Sequence, residues 1–187
     1  MAVTDPLQDQ LLDAAERLYY ANGIQSVGMD RLRADSGVSL KRIYQLFPTK
    51  EHLVIAYLRR RHERWLGRLA GHVAAAEQGP DRVLAIFDWL RLWFAEPDFH
   101  GCAWINAHGE LGASSADVAA AVRDHKRAFR RYVTRIVTGA GYPATLSPAI
   151  YLLAEGAMVT AGIGRSARAA TDARNAARLI LAARPAD

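Results

Sequence analysis

The sequence has one cysteine, Cys102, which excludes an internal disulfide framework and every multi-cysteine zinc or iron–sulfur pattern. Stability has to come from packing. No run reaches the roughly 18 apolar residues of a spanning helix, because the longest candidate, residues 150–164, is interrupted by Glu155; no membrane partner is expected. The opening MAVTDPLQDQ lacks a basic segment followed by an apolar one, so no secretory signal is expected and the chain reads as cytoplasmic. Alternating strand patterns, low-complexity tracts and tandem repeats are missing too. So are the nucleophile-elbow, phosphate-loop and His-Glu-x-x-His patterns. A hydrolase using Cys102 or a serine with histidine and an acid rests on residue availability alone, so the chain is not read as an enzyme, and no cofactor or metal is expected.

What is present points to a packed, helical protein. The 187 residues are 51% hydrophobic and 23% charged, which excludes disorder along the whole chain and leaves room for one large domain or two small ones. Lys and Arg total 24 against 19 Asp and Glu, a formal net charge of +5 with a sequence pI of about 9.7. That balance is compatible with a polyanionic partner. The distribution says more: residues 39–50 hold Lys41, Arg42 and Lys50 with no acid, and Arg59, Arg60 and Arg61 follow.

Apolar spacing of three and four predicts helices over residues 6–21, 29–36, 40–47, 50–76, 81–95, 102–111, 117–138, 147–163 and 171–183. Asn22-Gly23, Gly37, Pro48, Gly79-Pro80 and Gly139 to Pro143 punctuate them. Ser39 and Thr49 are N-cap candidates, and Pro80 suits a first helical position. The architecture reads as all-α, with a small basic head over residues 1–50 joined by the long helix to an apolar body over residues 51–187.

The informative stretch is residues 29–47: a short helix, a tight Gly37-Val38 turn and a Ser39-capped helix, with the dimensions of a helix-turn-helix. In that motif the second helix enters the major groove. Val38, Ile43 and Phe47 with Leu32 would hold it inward, leaving Lys41, Arg42, Tyr44 and Gln45 to meet base edges and phosphates. Arginine pairs bidentately with guanine, lysine reaches guanine or phosphate, and a tyrosine hydroxyl reaches phosphate. The helix opening at Lys50 offers N–H groups to a further phosphate. The DNA-facing set is therefore Ser39, Leu40, Lys41, Arg42, Tyr44, Gln45 and Lys50. A purely solvated basic face has the same spacing.

Residues 7–58, above all MDRLRADSGVSLKRIYQLFPTKEHL, resemble the N-terminal DNA-binding domain of the TetR/AcrR family of transcriptional regulators. The likeness rests on Gly37-Val38-Ser39 at the turn, Tyr44 with Phe47 three apart, and Pro48-Thr49-Lys50-Glu51 opening the fourth helix. Gly28 departs from the family's usual Thr cap, and Arg33 and Ser36 stand where small alanines are usual; at Arg33 this raises a packing question, which an aliphatic stem lying along apolar surface with its guanidinium in solvent would answer. The likeness continues through YLRRRHERW, EPDFHGCAWINAHGELG and RDHKRAFRRY. It implies a helical ligand-binding and dimerisation domain, and a homodimeric repressor that leaves a palindromic double-stranded operator when a small-molecule effector binds. A two-fold dimer would set two recognition helices one DNA turn apart, ~34–36 Å.

In the second half, Trp89, Trp93, Phe94, Trp104, Asn106, His108, His125 and Phe129 are candidates for an apolar, aromatic effector pocket with polar anchors. The same stripe also reads as plain core. Ile150, Leu153, Ala154, Ala157, Met158 and Ala161 form a small-residue face that suits either close helix pairing in a dimer or an internal core helix. Cys102, two residues from His100, is open to two readings, a thiol that senses oxidants or electrophiles and an inert buried apolar residue. A helical carrier that has lost DNA binding is a further alternative, against which Lys41, Arg42, Tyr44 and Lys50 argue.

Overall fold

The computed structural model describes residues 5–183. Among these the secondary structure is helical: α1 (Pro6–Asn22), α2 (Met29–Ser36), α3 (Leu40–Leu46), α4 (Lys50–Ala74), α5 (Pro80–Phe94), α6 (Ala103–Leu111), α7 (Ala116–Gly139), α8 (Ser147–Gly164) and α9 (Arg168–Ala182), with a short 3₁₀ turn at Ala144–Leu146. The turn is too short to carry a periodic signal. Local chemistry sets the ends. The Asp5 carboxylate caps α1 by accepting the Leu7 N–H at 3.0 Å, directly ahead of Pro6. Thr49 Oγ1 accepts the His52 N–H at 3.2 Å at the start of α4, and Gly37 takes the left-handed conformation (φ 69°, ψ 0°) that stops α2.

The chain divides into two compact units. One comprises the chain through Glu63 together with Ala103–Asp124; the other comprises Arg64–Cys102 and the chain from His125 onward. The division falls inside α4 and α7, whereas the spacing set a head at residues 1–50. The outermost residues of that scheme, 1–4 and 184–187, lie outside the described residues.

In the first unit α1 packs on α2 and α2 on α3, burying Leu11, Leu12, Leu18, Leu32, Ile43, Leu53 and Tyr57. Here the structure corrects the charge reading of residues 59–61. Arg60 reaches Asp13 at 2.9 Å and Glu16 at 3.4 Å, and Arg61 reaches Glu16 at 2.8 Å while lying over the Tyr20 ring at 3.7 Å. These guanidinium groups clamp α4 to α1 instead of forming a second open basic patch. Proximity in sequence gave no sign of that, because the partner acids lie more than forty residues earlier.

In the second unit α5 packs on α8 and α9, and α8 on α9. One stretch, Ala144–Gly164, is long and apolar enough to cross a membrane by length and composition, with a mean hydropathy of 1.4. Its inward stripe is core: Ile150, Ala154, Ala157, Met158 and Ala161 are buried. A Cβ added at Gly162 would sit 3.2 Å from the Gly101 Cα, so the absence of a side chain there lets α8 approach the turn before α6.

Burial pushes the Tyr19 hydroxyl well above the ordinary phenol value of 10.0, and burial with the Glu155 carboxylate does the same to Tyr151. A group whose folded pKa is raised stabilises the fold below its unfolded value and ceases to as the pH climbs past it. Resistance to urea should therefore hold to about pH 9 and decline above about pH 10, as urea titrations across that range would show. An undiminished midpoint at about pH 11 would contradict the burial of these phenols.

Candidate nucleic-acid interface

The helix-turn-helix is built as its residues require. Leu32, Val38, Ile43 and Phe47 are buried, and Ser39 Oγ accepts the Arg42 N–H at 3.3 Å to cap α3. Two of the three departures from the expected pattern, Ser36 and Arg33, fit their surroundings. Ser36 is buried, its backbone carbonyl accepting Gln10 Nε2 at 2.7 Å and its hydroxyl accepting the Val38 N–H at 3.2 Å, and the hydroxyl bond braces the turn where an alanine could not. Arg33 is exposed and pairs with Asp30 at 3.6 Å. Gly28 supplies no side-chain cap to α2.

Lys41, Tyr44 and Gln45 face solvent, and Leu40 is half-buried. Arg42 is half-buried, paired with the Asp5 carboxylate and donating to Gln45 Oε1 at 3.3 Å. Its guanidinium must leave Asp5 to meet a phosphate or base. Lys50 occupies a different place from the one expected of a phosphate contact. Its ammonium donates to the Ile24 carbonyl at 2.6 Å and lies 5.9 Å from the centre of the Tyr19 ring. Burial lowers its pKa, and the Glu110 carboxylate partly opposes that. The amine is engaged in holding the α1–α2 connection.

Sequence reasoning gave no role to Asp5, Gln10 or Glu110 in this head, and noted Ser36 only as a departure from the family pattern. Asp5 carried a signal, since an acid before a proline at a helix start is an N-cap pattern. Gln10 and Glu110 carried none, because their partners are brought together only by the fold. Glu110, on α6, accepts the N–H of Ile24 at 3.0 Å and of Gln25 at 2.8 Å.

The residues expected in an effector pocket separate between the units. Trp104, Asn106 and His108 belong to the first. Trp104 is buried with its ring edge-on to His62 at 6.4 Å, Asn106 is exposed, and the exposed His108 covers Gly112 so closely that a Cβ there would overlap its ring. Trp89, Trp93, Phe94, His125 and Phe129 are buried in the second unit. Trp65, which was not among the expected residues, is their hub: its ring lies 5.0 Å from Trp89, 5.6 Å from Trp93, 5.3 Å from His125 and 5.2 Å from Phe129.

Cys102 is buried. The group beside it is Lys126, whose Nζ lies 3.6 Å from Sγ and 2.5 Å from Glu155 Oε2; His100 Nδ1 is occupied by the Asp98 carbonyl at 2.9 Å.

Of the face expected at a dimer contact, Ile150, Ala154, Ala157, Met158 and Ala161 are buried within the protomer and Leu153 is half-buried. A stripe covered by its own protomer offers a second copy little surface. The outward apolar residues are others: Leu152 (66% exposed), Val159 (41%) and Ile163 (83%) on α8, and Leu179 (68%) on α9.

A capped, seven-residue helix held across a glycine turn, with polar side chains outward, defines a DNA-binding head of the helix-turn-helix class. A family model described as bacterial regulatory proteins, tetR family, matches residues 11–57, the segment that holds the helix-turn-helix. An uncharacterised HTH-type transcriptional regulator of Mycobacterium tuberculosis is 29% identical over 123 residues, covering 63% of this chain and 60% of the relative. The match thus spans less than two thirds of that relative's length. The crystal structure of a TetR-family transcriptional regulator from Streptomyces coelicolor superposes with a TM-score of 0.85 at 25% identity, over 94% of each chain. The reduced form of NemR from Escherichia coli shares the fold, with a TM-score of 0.83 at 22% identity over 94% of this chain and 96% of that one.

Proposed function

We propose that the protein is a transcriptional repressor that binds a palindromic operator as a homodimer in the cytoplasm and releases it when a small apolar or aromatic effector occupies the helical body. The observation that carries this reading is the outward face of α3, where Lys41, Tyr44 and Gln45 stand free of the core while Ile43 anchors the helix from behind. Residues 1–50 form the DNA-binding head in this reading. Lys41, Gln45 and a released Arg42 read or position, Tyr44 reaches a phosphate, Ser39 and Leu40 set the helix start, and Lys50 supports the head from within. The effector set in this reading is confined to Trp89, Trp93, Phe94, His125 and Phe129 of the second unit. Self-association is assigned to the outward Leu152, Val159, Ile163 and Leu179, since apolar side chains this exposed favour burial by a partner.

Selection of bound duplexes from a random DNA pool, at stated salt, tests binding, symmetry and half-site spacing together. A folded preparation that enriches no sequence would overturn the proposal, and sedimentation of an Ile163→Glu variant would report on the contact. The Arg42 pair supplies a sharper test. Arg42→Ala should cost about 1–3 kcal/mol of operator binding and relax preference at one base pair. Asp5→Asn retains a capping side chain while freeing the guanidinium, so operator affinity should rise several-fold, a gain on the order of the ~1 kcal/mol that partly exposed ion pairs reach. Fluorescence anisotropy on the selected duplex measures both, and an affinity that falls in Asp5→Asn would contradict the exchange of partners.

A further inference from the structure

Glu110 holds a peptide of the DNA-binding head from 86 residues away in the chain. Its carboxylate oxygens divide between two consecutive backbone donors, Ile24 N–H at 3.0 Å and Gln25 N–H at 2.8 Å. Gln25 returns the contact, its side-chain amide donating to the Glu110 carbonyl. On the other side of the same residue, Lys50 Nζ donates to the Ile24 carbonyl at 2.6 Å, and the Ile24 side chain is buried. Both polar groups of the Ile24 backbone are thus taken by charged side chains, one from α6 and one from α4. Charge-assisted bonds to backbone groups are among the stronger ones available.

The neighbouring glycine is shaped to this contact. Gly23 sits at φ 86°, and a Cβ there would lie 3.3 Å and 3.4 Å from the two Glu110 oxygens. Any larger residue would meet backbone strain and press on the carboxylate together. The connection so held, residues 23–28, runs directly into α2, and α2 packs on α3. A second tie fixes the same region, for Ser115 Oγ donates to the Glu51 carboxylate at the start of α4 and accepts the Val118 N–H at 3.0 Å at the start of α7.

We propose that Glu110 is a latch: it fixes the α1–α2 connection, and through it the setting of α3, to α6, so that releasing the carboxylate lowers operator affinity while leaving the head folded. α6 follows directly in the chain from the second unit's first segment, which closes at Cys102, and α7 carries the chain into that unit's second segment at His125. The latch is a positioning device and rests on the regulator reading above, with Glu110 itself touching no DNA.

The test uses Glu110→Gln in the full chain, because glutamine keeps the shape but can accept only one of the two N–H donors on its carbonyl. Amide exchange at Ile24 and Gln25 should accelerate about tenfold or more as that segment opens locally. Affinity for the selected operator should fall about tenfold, within the usual range of coupling between sites, while affinity for a random-sequence duplex stays within about twofold because phosphate contacts dominate it. A general loss of stability would not split the two affinities in protein shown by thermal melting to be folded. Lys50→Met, which removes the other clamp on Ile24, serves as the second variant if Glu110→Gln does not fold, with the same split expected. Unchanged exchange shows that no latch exists, and faster exchange with wild-type operator affinity shows that it does not govern reading; either overturns the proposal. If the unaltered protein prefers no duplex, the regulator reading fails and the coupling fails with it, whereas the exchange result still reports separately on the clamp.

Discussion

Replacing Trp65 with alanine should remove about 3–5 kcal/mol from the stability of the second unit, the largest single effect anticipated in the molecule. Trp65 is buried and presents ring edges or faces to Trp89, Trp93, His125 and Phe129, all within 5.6 Å between centroids. Truncation leaves a cavity bounded by three other large rings, and those rings are themselves packed: Trp89 stacks on Trp93 at 5.5 Å, and Trp93 meets Phe99 at 5.1 Å. Collapse into the space is therefore resisted, which places the cost toward the upper end for such changes. Within that total, each aromatic pair lost accounts for about 0.5–1.5 kcal/mol. Against a net stability of about 5–15 kcal/mol for an ordinary domain, the variant should be marginal or unfolded. Urea titration followed by far-ultraviolet circular dichroism measures it, with Trp65→Phe as the milder comparison. A loss below about 1 kcal/mol would show that the cluster is loosely packed and adaptable.

The second large effect belongs to the head. Ile43→Ala should cost about 2–5 kcal/mol locally and abolish operator binding. Ile43 is fully buried and is the only buried residue of α3, a helix of seven residues. Isolated helices shorter than about 12 residues are marginal in water, so α3 depends on this one anchor together with its Ser39 cap. Loss of the anchor leaves the polar face intact in composition but without a fixed orientation. Ile43→Leu, which conserves volume, should cost less than about 1.5 kcal/mol and retain binding. Operator titration of both variants, with amide exchange to localise the opening, decides the matter. Full operator affinity in Ile43→Ala would mean that α3 is held by something other than its apolar face.

Helix positions were legible in the sequence because apolar spacing and capping residues are local properties. Ser39, Thr49, Gly37 and Pro80 mark boundaries within one or two residues of those observed. What could not be read is the destination of each side chain. Lys50 and Arg60 looked like cations on basic segments, yet their partners are a carbonyl 26 residues earlier and acids on α1. Helix α8 shows the same limit in apolar terms. Both its faces are apolar, so spacing alone could not tell the stripe of Ile150, Ala154 and Met158 that packs inward from that of Leu152, Val159 and Ile163 that faces out. Glu110 left no local trace at all, since its role exists only once α6 meets the loop after α1.

The pairing of Arg42 with Asp5 bears on how such a protein would search a chromosome. A guanidinium kept company by its own carboxylate is less adhesive to the vast excess of incorrect sites than a bare one, whose attraction to phosphate is indifferent to sequence. In the proposed reading, shorter pauses at each wrong stop would leave more time for sampling new ones, and the arginine would be surrendered only where the surrounding fit compensates for leaving its acid.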